Sequence, residues 1–74
     1  MNNQTLIRMA NQIGVFFEAM PDRQQALEDI AQHIRKFWDP RMRRQMLEHL
    51  DQQKGEGLTD IVVLAFTRHR GLLE

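Results

Sequence analysis

The sequence predicts an all-α fold: a small bundle of about four short helices, the first pair antiparallel, in one domain over residues 1–74. Three observations carry this. Apolar residues recur at three- and four-residue steps along most of the chain. Pro21, Pro40, the pair Gly55 and Gly57, and Gly71 cut it into segments of helical length. Helix formers dominate, and β-branched residues cluster only near Ile61–Val63.

The first helix is expected from about Asn3 to Ala19, with Leu6, Met9, Ala10, Ile13, Phe16, Phe17 and Met20 forming one broad apolar face. Gly14 sits inside it at a cost of up to ~1 kcal/mol relative to alanine, which a close helix–helix approach would explain. Asp22 is the expected N-cap of the second helix, with Gln25 as its capping-box partner. That helix runs to about Phe37, with Ala26, Leu27, Ile30, Ala31, Ile34 and Phe37 inward and Trp38 at its end. The short connection between the two favours antiparallel packing.

Asp39-Pro40 starts the third helix, since Asp39 can cap and proline suits the first helical position, where its missing N–H is no loss. It runs to Gln53 or Lys54, with Met42, Met46, Leu47 and Leu50 inward, and Gly55-Glu56-Gly57 ends it. The fourth helix spans Thr59 to Arg70. Thr59 caps it, Leu58 and Val63 form a hydrophobic staple, and Gly71 follows as the terminating glycine. Ile61–Leu64 would also suit a short buried strand, but such a strand would have no partner here. Leu72 and Leu73 are exposed unless docked.

At 74 residues the core is marginal unless something adds to it. Cysteine is absent, which removes disulfides and thiolate metal sites. Ten Lys or Arg balance ten Asp or Glu, so global attraction to nucleic acid or anionic membrane is not expected. Eight of the ten cations are arginine, the residue of planar interfacial contacts, and five methionines accompany them. The N-terminus has no basic region leading into an apolar run, and Ile61–Phe66 is far shorter than the ~20 residues of a membrane helix. A cytoplasmic location is therefore expected.

No catalytic constellation is visible. Serine, cysteine and tyrosine are absent, and the only threonines are Thr5, Thr59 and Thr67, so a nucleophile–base pair is hard to assemble. His33, His49 and His69 fall on separate predicted helices without the i, i+4 partner of a helix-borne zinc site, and read as structural. No catalytic, cofactor-binding or metal-ligating residue is assigned.

The densest feature is His33-Ile34-Arg35-Lys36-Phe37-Trp38-Asp39-Pro40-Arg41-Met42-Arg43-Arg44. It sets two large aromatics among five cations around a helix–helix corner. A buried corner with a solvated basic face accounts for Phe37. It accounts less well for Trp38 beside three arginines, a composition common in interface hot spots. A basic helix end with an aromatic could also hold phosphates, but no nucleic-acid motif accompanies it. Phe16 and Phe17, being adjacent on a helix, cannot both fill one core position; one fills the core while the other faces a partner or another helix, and a broad buried face in the bundle accounts for the pair equally well.

The run Met9-Ala10-Asn11-Gln12-Ile13-Gly14-Val15-Phe16-Phe17, then Pro21, then Ile30 to Arg43 resembles the delta subunit of soluble NAD-dependent, molybdenum-containing formate dehydrogenases. The resemblance covers roughly the first two-thirds of the chain, and its most specific block is His33 to Arg43. It implies a non-catalytic accessory subunit that supports assembly, cofactor insertion or stability of the complex. The implied partner is the catalytic alpha subunit, with beta and gamma subunits as further partners. That complex carries molybdopterin, iron–sulfur clusters, FMN and NAD, none of them bound by this chain. Phe17, His33, Trp38, Arg41, Met42 and Arg43 are the expected docking residues. Truncating Trp38 to alanine should then weaken the complex by roughly 2 kcal/mol or more. Two alternatives stand beside this reading: a transient maturation chaperone for the catalytic subunit or its molybdopterin, and a small helical nucleic-acid-binding regulator. Self-association of the isolated chain is left open.

Overall fold

The computed structural model describes residues 1–74 as five helices without strands: α1 Asn3–Glu18, α2 Arg23–Phe37, α3 Pro40–Gln53, α4 Asp60–Arg68 and α5 Arg70–Leu73. Short polar side chains start the first three. The Asn2, Asp22 and Asp39 side chains accept hydrogen bonds from the backbone N–H groups of Thr5 (2.8 Å), Gln25 (3.2 Å) and Met42 (3.0 Å). Each satisfies one of the N–H groups that a helix start leaves without a partner. The reciprocal half of the expected capping box is not made, because Gln25 turns its amide to Asp29 at 2.9 Å.

α2 is the central element and packs against α1, α4 and α5, while α3 closes the bundle against α1 and α5. The buried core takes Leu6 and Ala10 from α1, the Ala26–Ile34 face of α2, Met46 and Leu47 from α3, and Ile61, Val62, Ala65 and Phe66 from α4. Along the α1–α2 seam Phe17 lies beside His33, and Met9, earlier in α1, lines one groove with the later Trp38. The pairing thus runs in opposite chain senses, as expected for antiparallel neighbours.

Gly14 is the close approach its position predicts. A Cβ there would stand 2.7 Å from Val62 Cγ2 and 3.2 Å from Ile61 Cγ2, so α4 lies on the α1 backbone. The turn after α3 is equally specific. Lys54 and Gly55 take φ of 56° and 70°, and a Cβ on Gly55 would press on Leu50 and Val63. Buried His49 donates from Nε2 to the Glu56 carbonyl at 2.7 Å and fastens this turn to α3.

Thr59 does occupy the N-cap of α4, but its side chain makes no capping bond. Asn11 of α1 holds the backbone at this position and just before it. It accepts from the Thr59 N–H at 3.0 Å and donates to the Gly57 carbonyl at 2.9 Å. One amide thereby ties the α3–α4 connection to α1.

The end of the chain departs from expectation. α4 stops at Arg68, His69 leaves helical geometry (φ −115°, ψ 33°), and Gly71 lies inside α5 rather than terminating α4. The break at His69 turns the chain back, so that Leu73 is buried in the core. Arg35 holds this return by donating to the Leu72 carbonyl at 2.8 Å. Arg70 adds a bidentate contact to Asp51 of α3 (3.0 and 2.8 Å) and one to Glu74 (3.1 Å). Hydrogen bonds to Asp51, then to Glu74, raise the Arg70 guanidinium above its ordinary pKa. No helix is long and apolar enough to cross a membrane.

Candidate docking surface

The α1–α2 seam is not fully closed. α1 turns two faces to the bundle: Leu6, Ala10 and Gly14 are buried, while Met9, Ile13 and Phe17 are half-buried along the edge. Beyond that edge Phe16 is 74% exposed. On the facing edge of α2, His33 is half-buried and Phe37 is 66% exposed. Between them runs an apolar groove of about 510 Å³, floored by Trp38 and closed at the side by Met42 of α3.

The aromatic rings form a continuous row across the two helices. Phe16 and Phe17 meet edge to face with centroids 5.0 Å apart. Phe17 lies 6.1 Å from His33, and His33 lies 4.6 Å from Phe37. The Lys36 ammonium stands 5.7 Å from the centre of the Phe37 ring, within cation–π range. A monomer seldom leaves two phenylalanines this exposed beside one apolar groove without a use for them.

Four of the residues expected to dock a partner converge here: Phe17, His33, Trp38 and Met42 all line the groove. The roles of the adjacent aromatics, however, are exchanged relative to the sequence reading. Phe37, expected inward, is exposed, and Trp38, expected to project, is 5% exposed and part of the core. The cause is the end of α2. Phe37 is its last helical residue, while Trp38 has extended backbone (φ −90°, ψ 138°) that folds the indole back over the bundle. Trp38 therefore shapes the groove from below and cannot act as a projecting anchor.

Arg41 is exposed and lies outside the groove lining. Arg43 is half-buried and donates to the Arg35 carbonyl at 2.7 Å, bracing the end of α2, while its buried Nε has no partner. Arg35 is likewise committed to the Leu72 carbonyl. The five-cation corner thus divides. Arg35 and Arg43 hold the fold together, and Lys36, Arg41 and Arg44 make no ion pair within the chain. That division weakens the phosphate-binding use of the corner, which needs its cations to converge. His33 is flanked by the Phe17 and Phe37 rings.

Sequence reasoning missed Phe37 as a surface aromatic and left undecided which of Phe16 and Phe17 is exposed. The available signal was the width of the apolar face of α1, which is broader than one packing interface fills. No three His, Asp or Glu side chains come together as metal ligands.

A family model for the NADH-dependent formate dehydrogenase delta subunit FdsD matches residues 5–66. The match takes in α2, α3 and most of α1 and α4, and with them every residue of the groove. The chain belongs to that family. No curated protein and no solved structure matches it.

Proposed function

We propose that this delta-subunit family member is a non-catalytic accessory subunit that docks on the catalytic subunit of a cytoplasmic NAD-dependent formate dehydrogenase. In that role it supports assembly, cofactor insertion or stability of the catalytic subunit. The observation that carries the reading is the aromatic row of Phe16, Phe17, His33 and Phe37, exposed at both ends, beside an apolar groove. Large rings around an apolar depression are the usual anchors of a protein interface. Their burial by a partner would also supplement the marginal core of so short a chain.

The docking set is Phe16, Phe17, His33, Phe37 and Met42, with Trp38 beneath them and Arg41 at the margin. Arg43 serves the fold. In this reading molybdopterin, iron–sulfur clusters, FMN and NAD are carried by the other subunits; for the clusters this agrees with the chain's lack of cysteine ligands. The catalytic subunit is the principal partner, with the beta and gamma subunits as further neighbours.

The test is co-purification of the tagged chain with co-expressed formate dehydrogenase subunits, comparing the natural sequence with the double variant Phe16→Ala, Phe37→Ala. Stoichiometric recovery of the mature catalytic subunit by the natural chain, lost in the variant, supports the proposal. Recovery of only the cofactor-free catalytic subunit identifies a transient maturation chaperone instead. Undiminished recovery by the variant rejects the groove as the docking site.

A further inference from the structure

We infer that the groove receives the apolar face of an amphipathic helix on the partner, and that acidic residues bordering that face meet Lys36 and Arg41. The inference rests on the reading that the chain docks a partner protein through this groove.

Three observations lead to that occupant. First, the groove is walled by α1 and α2 with Met42 of α3 at the side, so both margins are helix surfaces. The chain has no strand, hence no sheet edge to which an extended segment could add. A helix laid between two helices, with residues at i, i+3 or i+4 and i+7 inserted, matches the remaining geometry. Met9 and Met42 in the lining let the groove adapt to the inserted side chains.

Second, cations outnumber acids on the α2–α3 side of the groove, with Arg35, Lys36, Arg41, Arg43 and Arg44 against Asp29 and Asp39. Lys36 lines the adjoining recess with Phe17, His33, Phe37, Arg35 and one acid, Asp29, and Arg41 immediately precedes Met42. Both are exposed, and neither has an ion-pair partner in the chain. The nearby acids are fewer and are hydrogen-bonded within the chain: Asp39 accepts from the Met42 N–H at 3.0 Å, and Asp29 from the Gln25 amide at 2.9 Å. Cations at the rim of an apolar site select acids at the rim of its partner and accelerate their encounter.

Third, the same charge disfavours a second copy of this chain as the occupant. A two-fold contact through the groove would set the basic rim of one copy against the identical rim of the other.

The experiment uses the complex of the full chain with the other formate dehydrogenase subunits. p-Benzoylphenylalanine replaces Phe16 or Phe37, both exposed, and the crosslinked partner peptide is sequenced after irradiation. The expected peptide carries apolar residues at helical spacing with Asp or Glu on the flanks. In parallel, association of the purified catalytic subunit is timed for the natural chain and for Lys36→Glu with Arg41→Glu, with circular dichroism confirming that the variant folds. At low salt the variant should associate about tenfold more slowly or worse, and its rate should depend less on salt. A crosslinked peptide without acids or helical spacing, or unchanged association by the charge-reversed variant, overturns this inference and leaves docking through the groove standing. An intact complex with no crosslink from either position overturns the docking reading as well. Crosslinking to a second copy of the chain, or nucleic acid retained by the natural chain and lost on charge reversal, also overturns the inference.

Discussion

Two neighbouring aromatic truncations should have opposite consequences. Phe37 is 66% exposed, so folding hides only about a third of a side chain whose full burial stabilises by about 1.5–3 kcal/mol. Phe37→Ala should therefore cost the fold about 0.5–1 kcal/mol. Trp38 is 5% exposed and sits in the core cluster. Its truncation removes that packing and opens a cavity, at about 3–5 kcal/mol. A 74-residue domain has a total stability of about 4–11 kcal/mol, so Trp38→Ala takes away much of it. Binding should order the pair the other way. Phe37→Ala should weaken docking on the catalytic subunit by about 2 kcal/mol, or about 30-fold in Kd. The assays are urea unfolding followed by circular dichroism, which does not need the lost indole, and calorimetric titration of the folded variant into the catalytic subunit. The reasoning is refuted if Trp38→Ala unfolds at the natural midpoint while Phe37→Ala binds with unchanged affinity. That result would return Trp38 to the projecting role that sequence alone suggests.

Glycine replacement should change sign with position. Gly14→Ala forces a Cβ to within 2.7 Å of the stiff, buried Val62 side chain, so overpacking of about 1–3 kcal/mol should exceed the ~1 kcal/mol gain in helix propensity. Gly71→Ala meets nothing within 4 Å and should stabilise by up to about 1 kcal/mol, so the two urea midpoints should move in opposite directions. Asn11→Ala removes both bonds that tie α1 to the start of α4, and should cost about 1–2 kcal/mol and raise amide exchange at Thr59. Leu73→Ala should lower stability by about 2 kcal/mol, the small end for a leucine because a terminal helix relaxes easily. A thermal melt matching the natural chain would show that α5 is not part of the cooperative fold.

Much of the architecture is local, and local information is legible. The Asp22 and Asp39 caps, the Pro40 start and the turn at Gly55 and Gly57 act over one to four residues. The inward faces of α2 and α3 follow from helical spacing, and Gly14 announced the approach of another helix. The block from His33 to Arg43, together with the motif from Met9 to Phe17, pointed to the family. Sequence therefore determined the helical class, the starts of the first four helices and most of the core. Tertiary structure decided what depends on partners far along the chain. Trp38 rather than Phe37 is buried because the backbone leaves helical geometry at Trp38 and returns the indole to a core assembled from every helix. Arg35 is committed to the fold because Leu72, 37 residues away, returns to it. The Thr59 N–H is held by Asn11, 48 residues earlier, while the Thr59 hydroxyl makes no capping bond. Helical period reports which residues share a face, but only the neighbouring helices determine how much of that face they cover. On α1 they leave Phe16 outside, and the groove lies at that uncovered edge.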